Sequence, residues 1–312
     1  MIKGLMITPP VIGRICIGHV VERNGKRLPE KDDFFTITTQ VQSREGWMLH
    51  PLQTQLAEAL KGKLRAIPVK LLFNSPDLNL RAQYSLFDRT TGRPVCTGDG
   101  QTAKRCTDAG MKELPCPSPE LCEYGQASCK LFGRLNVQIE GQEDELGSFI
   151  FRTTGFNSVR TLAARLTYFN AISGGNAKHL PLLLRLRAKT TTLSHRSPVY
   201  YADLTLRDGA NLAAVVKQAR EMAVSQAESG IDTLQLEEVA RLGLGNGVFE
   251  ESEEEAPAVA EEFSPTSEMQ ASCPAQVSGT PSPTTSTKLA TTNLVKTTRL
   301  AHRSGQAKTI SS

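Results

Sequence analysis

Tryptophan is nearly absent from this chain: there is one in 312 residues, and all aromatic residues together make up 5%. No apolar run approaches the roughly 18 to 20 residues that cross a bilayer, so a soluble protein without a membrane partner is expected. An export signal is missing as well. Met1 to Val21 carries one early lysine, but Pro9, Pro10 and Gly13 interrupt its apolar residues and no small-residue cleavage site follows. The expected compartment is therefore the cytoplasm, where reducing conditions disfavour disulfides.

Catalytic constellations are missing too. There is no His-Glu-x-x-His, no Gly-x-Ser-x-Gly and no glycine-rich phosphate loop ending in Lys-Ser/Thr. Gly98-Asp99-Gly100 begins like a dinucleotide fingerprint, but a cysteine and not a helix follows, so it reads as a turn. Cys16 and His19 have ligand-like spacing yet sit in an apolar strand and read as packed side chains, while His50 and His179 stand without an obvious carboxylate partner. Glu143, Asp144 and Glu145 read as a solvated hairpin loop. The residues point away from an enzyme.

What the chain does have is a cluster of thiols. Cys96, Cys106, Cys116, Cys122 and Cys129 fall in one 34-residue window, and only Cys16 and Cys273 lie elsewhere. The large apolar side chains between Cys96 and Cys129 are Met111, Leu114, Leu121 and Tyr124; glycines, prolines and charges fill the rest. Such a stretch cannot bury a core that offsets a backbone ordering cost of roughly 1 to 2 kcal/mol per residue. A Zn2+ held by four thiolates can, because its binding free energy becomes folding free energy, on the order of 10 kcal/mol. Five cysteines would leave one over from disulfides, and scattered buried or free thiols are the remaining alternative. The intervening gaps of nine, nine, five and six residues are wider than those of compact zinc knuckles. The preferred ligand set is Cys106, Cys116, Cys122 and Cys129, since the Pro-Ser-Pro turn after Cys116 can fold Cys122 back; Cys96 is the rival for one place. A closed four-cysteine site would be structural.

Hydrophobic patterning predicts an α+β fold, mainly antiparallel sheet with about three helices, a Cys-rich zinc-stapled segment at 96–130 and a disordered C-terminal tail. Strands are expected near Arg14 to Val21, Phe34 to Thr39, Ile67 to Phe73, Ala82 to Phe87, Arg134 to Ile139 and Phe149 to Thr153. Helices are expected at Pro51 to Lys61, at Ser158 to Phe169 with Val159, Leu162, Ala163, Leu166 and Phe169 as its stripe and Asn157 or Ser158 as its cap, and at Asn211 to Gln226 capped by Asn211. The folded domain is read as 1–249, with Gly243, Gly245 and Gly247 as a flexible exit.

The remainder, 250–312, is acidic and then rich in Ser, Thr and Pro, with Phe263 as its one aromatic. It holds eight acids and five Lys or Arg, which leaves 31 basic and 24 acidic residues in 1–249, a charge of about +7. The acidic block from Glu250 to Glu262 reads as a solvating linker or, more sharply, as a shield over a basic surface of its own domain. Leu182 to Thr191 alternates, with Arg185, Arg187 and Lys189 on one face, and pairs with Val199 to Leu206 across a loop carrying His195 and Arg196. This predicts a cationic β-hairpin able to track phosphates, or simply a solvated outer face. Arg160 and Arg165 on the second helix, and Lys104 and Arg105 beside Cys106, are further candidate DNA contacts.

Several short pieces then fall in a meaningful order: Val11-Ile-Gly-Arg-Ile-Cys-Ile-Gly-His, Asn24-Gly-Lys-Arg-Leu-Pro, the Thr36-to-Gln40 strand, Arg93-Pro-Val-Cys-Thr-Gly-Asp-Gly, Cys116-Pro, Cys129-Lys and Leu146-Gly-Ser-Phe-Ile-Phe-Arg-Thr-Thr-Gly-Phe-Asn-Ser. From about residue 8 to 210 the chain resembles phage-type recombination directionality factors. The resemblance implies a partner that is a large serine integrase, switched from integration to excision mainly by protein contact, with DNA binding secondary. Plasmid proteins of similar pattern are loosely described as metal-binding or hydrolase-like. The family pattern places cysteines at Cys96, Cys116 and Cys129 with another close to Cys116, which makes Cys106 an extra. The sequence therefore predicts a non-enzymatic, zinc-binding accessory protein of a mobile element, acting on a recombinase or other DNA-processing protein; the alternative is a metal-dependent hydrolase or nuclease.

Overall fold

The computed structural model describes residues 10–23, 26–44, 46–88, 91–190, 192 and 197–244. The chain divides into two units, Met1–Ser267 and Glu268–Ser312, and every described residue belongs to the first. The expected tail, with Cys273, lies outside the described residues.

The chain opens with β1 (Val11–Cys16), the hairpin β2 (His19–Arg23) and β3 (Lys26–Glu30), β4 (Thr36–Ser43), β5 (Gly46–Leu49) and helix α1 (Pro51–Leu60). There follow β6 (Ala66–Leu71), the one-turn α2 (Pro76–Asn79), β7 (Leu80–Phe87), β8 (Pro94–Gly98), β9 (Thr102–Thr107) and β10 (Gly110–Pro115). The second half contains β11 (Lys130–Ile139), β12 (Ser148–Thr153), α3 (Phe156–Ser173), β13 (Leu182–Lys189), β14 (Val199–Leu206), α4 (Leu212–Glu228) and α5 (Thr233–Leu244).

Among the described residues twelve strands form one sheet, nine of them in the order β10-β9-β8-β7-β11-β12-β1-β4-β5. All neighbours on this path are antiparallel except β1 and β12. The sheet forks at the ten-residue β11: its first half pairs with β7 and its last residues, Val137 to Ile139, pair with β6, which carries β13 and β14 outward. Strand alternation then sorts the two faces. Leu135, Val137 and Ile139 of β11, Phe149 and Phe151 of β12 and Ile15 of β1 meet Leu52 of α1, Leu162, Leu166 and Phe169 of α3, and Val215 and Ala219 of α4 in one buried core.

The α+β class and the largely antiparallel sheet agree with the sequence, whereas among the described residues five α-helices stand where about three were expected. The Arg14-to-Val21 segment is two strands, because the chain leaves the main sheet after Cys16 to make the β2–β3 hairpin. Gly155 occupies the N-cap of α3. Ser158 instead accepts a hydrogen bond from the Ala202 amide (3.1 Å), and Asn157 accepts one from Lys189 Nζ, so both candidate caps tie α3 to the β13–β14 hairpin. Ala163 faces solvent rather than the core. Asn211 does cap α4, accepting from the Ala214 amide at 3.1 Å, and His50 caps α1, accepting from the Leu52 amide at 3.2 Å. Gly243, read as part of a flexible exit, is buried inside α5; Gly245 and Gly247 lie outside the described residues.

Helix α5 is held by polar contacts as much as by packing. Its Ala240 joins Leu72, Phe73 and Leu78 in a small second core. Glu237, 8% exposed, accepts from the amides of Asn74 (2.6 Å) and Ser75 (3.2 Å) and from the Ser75 hydroxyl (3.0 Å). Arg241 pairs with Asp77. Replacing Glu237 by Ala strands these donors, at a cost of about 1 to 3 kcal/mol. Amide exchange across 233–244 should accelerate while that of β11 holds; equal protection of both in variant and parent would contradict this account.

Candidate metal centre

The thiol window is not irregular chain throughout, because β8, β9 and β10 form a meander at the outer edge of the sheet. Asp99 accepts from the amides of Gln101 and Thr102, both at 2.7 Å, and makes the Gly98-Asp99-Gly100 turn expected from the sequence. Register pairs Leu86 with Cys96 and Cys96 with Arg105. Directly opposed residues share a face and successive ones alternate, so Arg105 points with Cys96 and Cys106 points the other way. Cys106 is exposed, opposite Met111 of β10.

Cys96, Cys116, Cys122 and Cys129 line one small pocket of about 20 Å³, walled by Tyr84, Leu86, Ala103, Arg105 and Tyr124. That is room for about one water-sized particle. The Cys116 amide donates to the Gln101 carbonyl (2.8 Å), fixing the start of the loop to the β8–β9 turn. The chain reverses through Pro117-Ser118-Pro119, with Ser118 at φ 70° and the Leu121 amide donating to the Ser118 carbonyl. A short turn at Gln126–Ser128 follows, in which the Cys129 amide donates to the Gly125 carbonyl (3.1 Å). Two glycines make room for the sulfurs. A Cβ on Gly98 would stand 2.7 Å from Cys116 Sγ, and one on Gly125 would stand 2.6 Å from Cys129 Cβ.

The electrostatics of the pocket favour a positive occupant. Burial, reinforced by Cys96, Cys122, Cys116 and Glu120, pushes the Cys129 thiol up to about 11. Desolvation works against the charge of Arg105, but its hydrogen bond to Cys96 and its attraction to Cys96, Tyr124 and Cys122 outweigh it, and its pKa is raised. The same guanidinium lies 3.8 Å over the Tyr124 ring. The Gly125 amide points at Cys122 Sγ (3.4 Å), a contact that is stronger to a thiolate than to a thiol. Among the described residues, no group of three or more His, Cys, Asp or Glu side chains is already drawn to the spacing that holds an ion. The four sulfurs surround a common space without being gathered onto a single point.

The expected cationic hairpin forms in register, with Leu182 through Lys189 paired to Leu206 through Val199. Its arginines are engaged by carboxylates. Arg187 (2.8 Å) and Arg165 (3.0 Å) converge on Asp203, whose side chain is 3% exposed, and Arg185 binds Asp208 at 2.7 Å. Lys189 donates to Asn157, and Arg160 is exposed on α3. Lys104 and Arg105 lie on opposite faces of β9, so they do not act as one pair; Arg196 and His195 lie outside the described residues. Outside this set, Arg14, Arg81, Arg134 and Arg152 share the sheet face turned away from the main helices. Their grouping depends on strand register and was not read from the sequence.

The chain matches the Gp3-like family model, described as recombination directionality factor-like, over residues 12–207, and it belongs to that family. The matched span runs from β1 to the end of β14 and contains the whole thiol pocket. No curated protein and no solved structure matches it. Among the described residues no helix is long and apolar enough to cross a membrane.

Arg187→Glu directs a second carboxylate at the buried Asp203 and should lower stability by roughly 1 to 3 kcal/mol, the half-exposed arginine keeping the cost below that of a fully buried pair. Chemical denaturation checks this. An unchanged midpoint would mean that the pair contributes nothing and that Arg187 is available to other partners.

Proposed function

We propose that this protein is a non-enzymatic accessory factor of site-specific recombination on a mobile element, with a structural Zn2+ site at Cys96, Cys116, Cys122 and Cys129. Family membership carries the recombination half of this reading. The partner is a recombinase, of the large serine integrase kind that the family resemblance implies, contacted protein to protein.

The zinc half rests on the four thiols lining one pocket. The donor set suits zinc: four thiolates satisfy a tetrahedral ion and leave no open position for water, so the ion would fix structure and not activate a nucleophile. A tetrathiolate site carries two net negative charges, and Arg105 beside Cys96 offsets part of them. For the same reason the donor set lends no support to a hydrolase or nuclease. The hairpin arginines, engaged by Asp203 and Asp208, make direct DNA contact there secondary.

Two measurements test the two halves separately. Serine substitution of Cys96, Cys116, Cys122 or Cys129 should remove the single zinc per chain and cost several kcal/mol, while Cys106→Ser should retain both metal and stability. Loss of zinc on Cys106→Ser would overturn the ligand assignment. In a recombination assay with the integrase of the same element, added protein should stimulate reaction between the hybrid excision sites and suppress reaction between the integration sites. A chain that alters neither direction is not a directionality factor.

A further inference from the structure

Helix α5 turns a carboxylate inward and its apolar side chains outward. The buried positions described in it are Glu237, Ala240 and Gly243, each three residues from the next. Glu237 is held by the Asn74 and Ser75 amides, and Arg241 binds Asp77. At about 100° per residue the opposite face carries Leu234, Glu238 and Leu242 in one row, with Leu236, Val239 and Leu242 forming a ridge at i, i+3 and i+6. Leu234 and Leu242 are 80% and 73% exposed, Ile231 just ahead of the helix is 50% exposed, and Leu236 and Val239 are 39% and 37% exposed. Five large apolar side chains between Ile231 and Leu242 therefore meet water, while the helix is anchored by a glutamate and an alanine. A helix that only packs on its own domain has the reverse arrangement, as α4 does with Val215 and Ala219 turned to the core. Apolar residues exposed singly need no explanation, but a run of them on one helix face marks a contact surface.

We propose that the outward face of α5 is the docking site for a basic, amphipathic α-helix of the recombinase; this rests on the recombination reading above and specifies where that contact is made. Charge selects the occupant. Glu228, Asp232 and Glu238 are exposed around the apolar ridge, and the one cation between residues 228 and 242, Arg241, is engaged by Asp77. An acidic rim of this kind attracts Lys and Arg and repels phosphate, which argues against nucleic acid or an anionic membrane as the occupant. It also argues against a second copy. An antiparallel pair of α5 helices that sets Leu234 against Leu242 brings Glu238 against its own counterpart, like charge on like. The helical form of the occupant follows from the backbone. The amides and carbonyls inside α5 are spent on its own hydrogen bonds, so recognition falls to side-chain ridges that fit the grooves of another helix and not to an added strand. The family match ends at residue 207, before α5 begins at Thr233, so family membership does not itself assign this surface.

The test titrates the full chain with the integrase of the same element by isothermal calorimetry. Leu234→Asp combined with Leu242→Asp should weaken binding on the order of a hundredfold, because each leucine buried at the contact contributes roughly tenfold or more. Glu238→Lys should weaken it by roughly threefold to tenfold. All three side chains are exposed, so the thermal unfolding midpoints should match the parent's, and Leu146→Asp, at a leucine 77% exposed elsewhere on the fold, should bind as the parent does. p-Benzoylphenylalanine in place of Gln235 should crosslink to an integrase peptide that carries Lys or Arg beside an apolar helical stripe. If the double variant unfolds early, Glu238→Lys and the crosslink decide. A double variant that binds as tightly as the parent overturns the inference and leaves the recombination reading standing, whereas a parent chain with no affinity for the integrase removes that reading and the inference with it. A Glu238→Lys chain that binds as well as the parent means that the occupant is not basic. A dimer in sedimentation that the double variant dissolves assigns the face to a second copy, and either result also overturns the proposal.

Discussion

The outer arm of the sheet has almost no apolar surface to bury, and this constraint governs the rest of the structure. In β8, β9 and β10 the one buried hydrophobic residue is Ala103. Hydrophobic burial at about 25 cal/mol per Å² cannot order three strands and a fourteen-residue loop with so little area. What lines the interior of this arm is the pocket of Cys96, Cys116, Cys122 and Cys129 beside Arg105 and Tyr124. Backbone bonds from Cys116 to Gln101 and from Cys129 to Gly125 bring the loop to that point, and the small residues at Gly98 and Gly125 let it close.

The fold separates its chemistry by strand parity. One face of β11 and β12 carries Leu135, Val137, Phe149 and Phe151 against the helices; the other carries Arg134, Asn136, Ser148 and Arg152 beside the buried Phe132 and Ile150. The same parity extends to the arm, where it turns Arg105 into the thiol pocket and leaves Lys104 and Cys106 on the arginine side. A single sheet thereby offers a thiol site and a cationic face without either interfering with the other.

Long periodic segments were legible in the sequence. Helix α3 and the β13–β14 hairpin each bury a full apolar stripe, and α1 and α4 bury shorter ones, through Leu52 and through Val215 and Ala219, so apolar spacing marks them without tertiary information. Helix α5 was missed although Leu236, Val239 and Ala240 have helical spacing: Glu237 stands among them, and it is this buried glutamate that does part of the anchoring while Leu234 and Leu242 are 80% and 73% exposed. The β8–β10 strands hide among glycine, proline and charge because sheet pairing, not propensity, makes them strands.

The thiol cluster was visible as a cluster, but choosing among its members needed the strand assignment of β9, after which alternation separates Cys106 from Arg105. The ion pairs of Asp203 with residues 16 and 38 positions away, and the row Arg81-Arg134-Arg152, arise from register and cannot be read from linear spacing. Charge on a predicted hairpin face was a poor guide to availability for the same reason: the compensating carboxylates belong to the partner strand and the loop after it.

X-ray absorption at the zinc edge, on the full chain purified without added metal, tests the central claim most directly. Four sulfur scatterers at about 2.3 Å are predicted. A first shell containing nitrogen or oxygen donors, or a well-folded protein that carries no zinc, would contradict it.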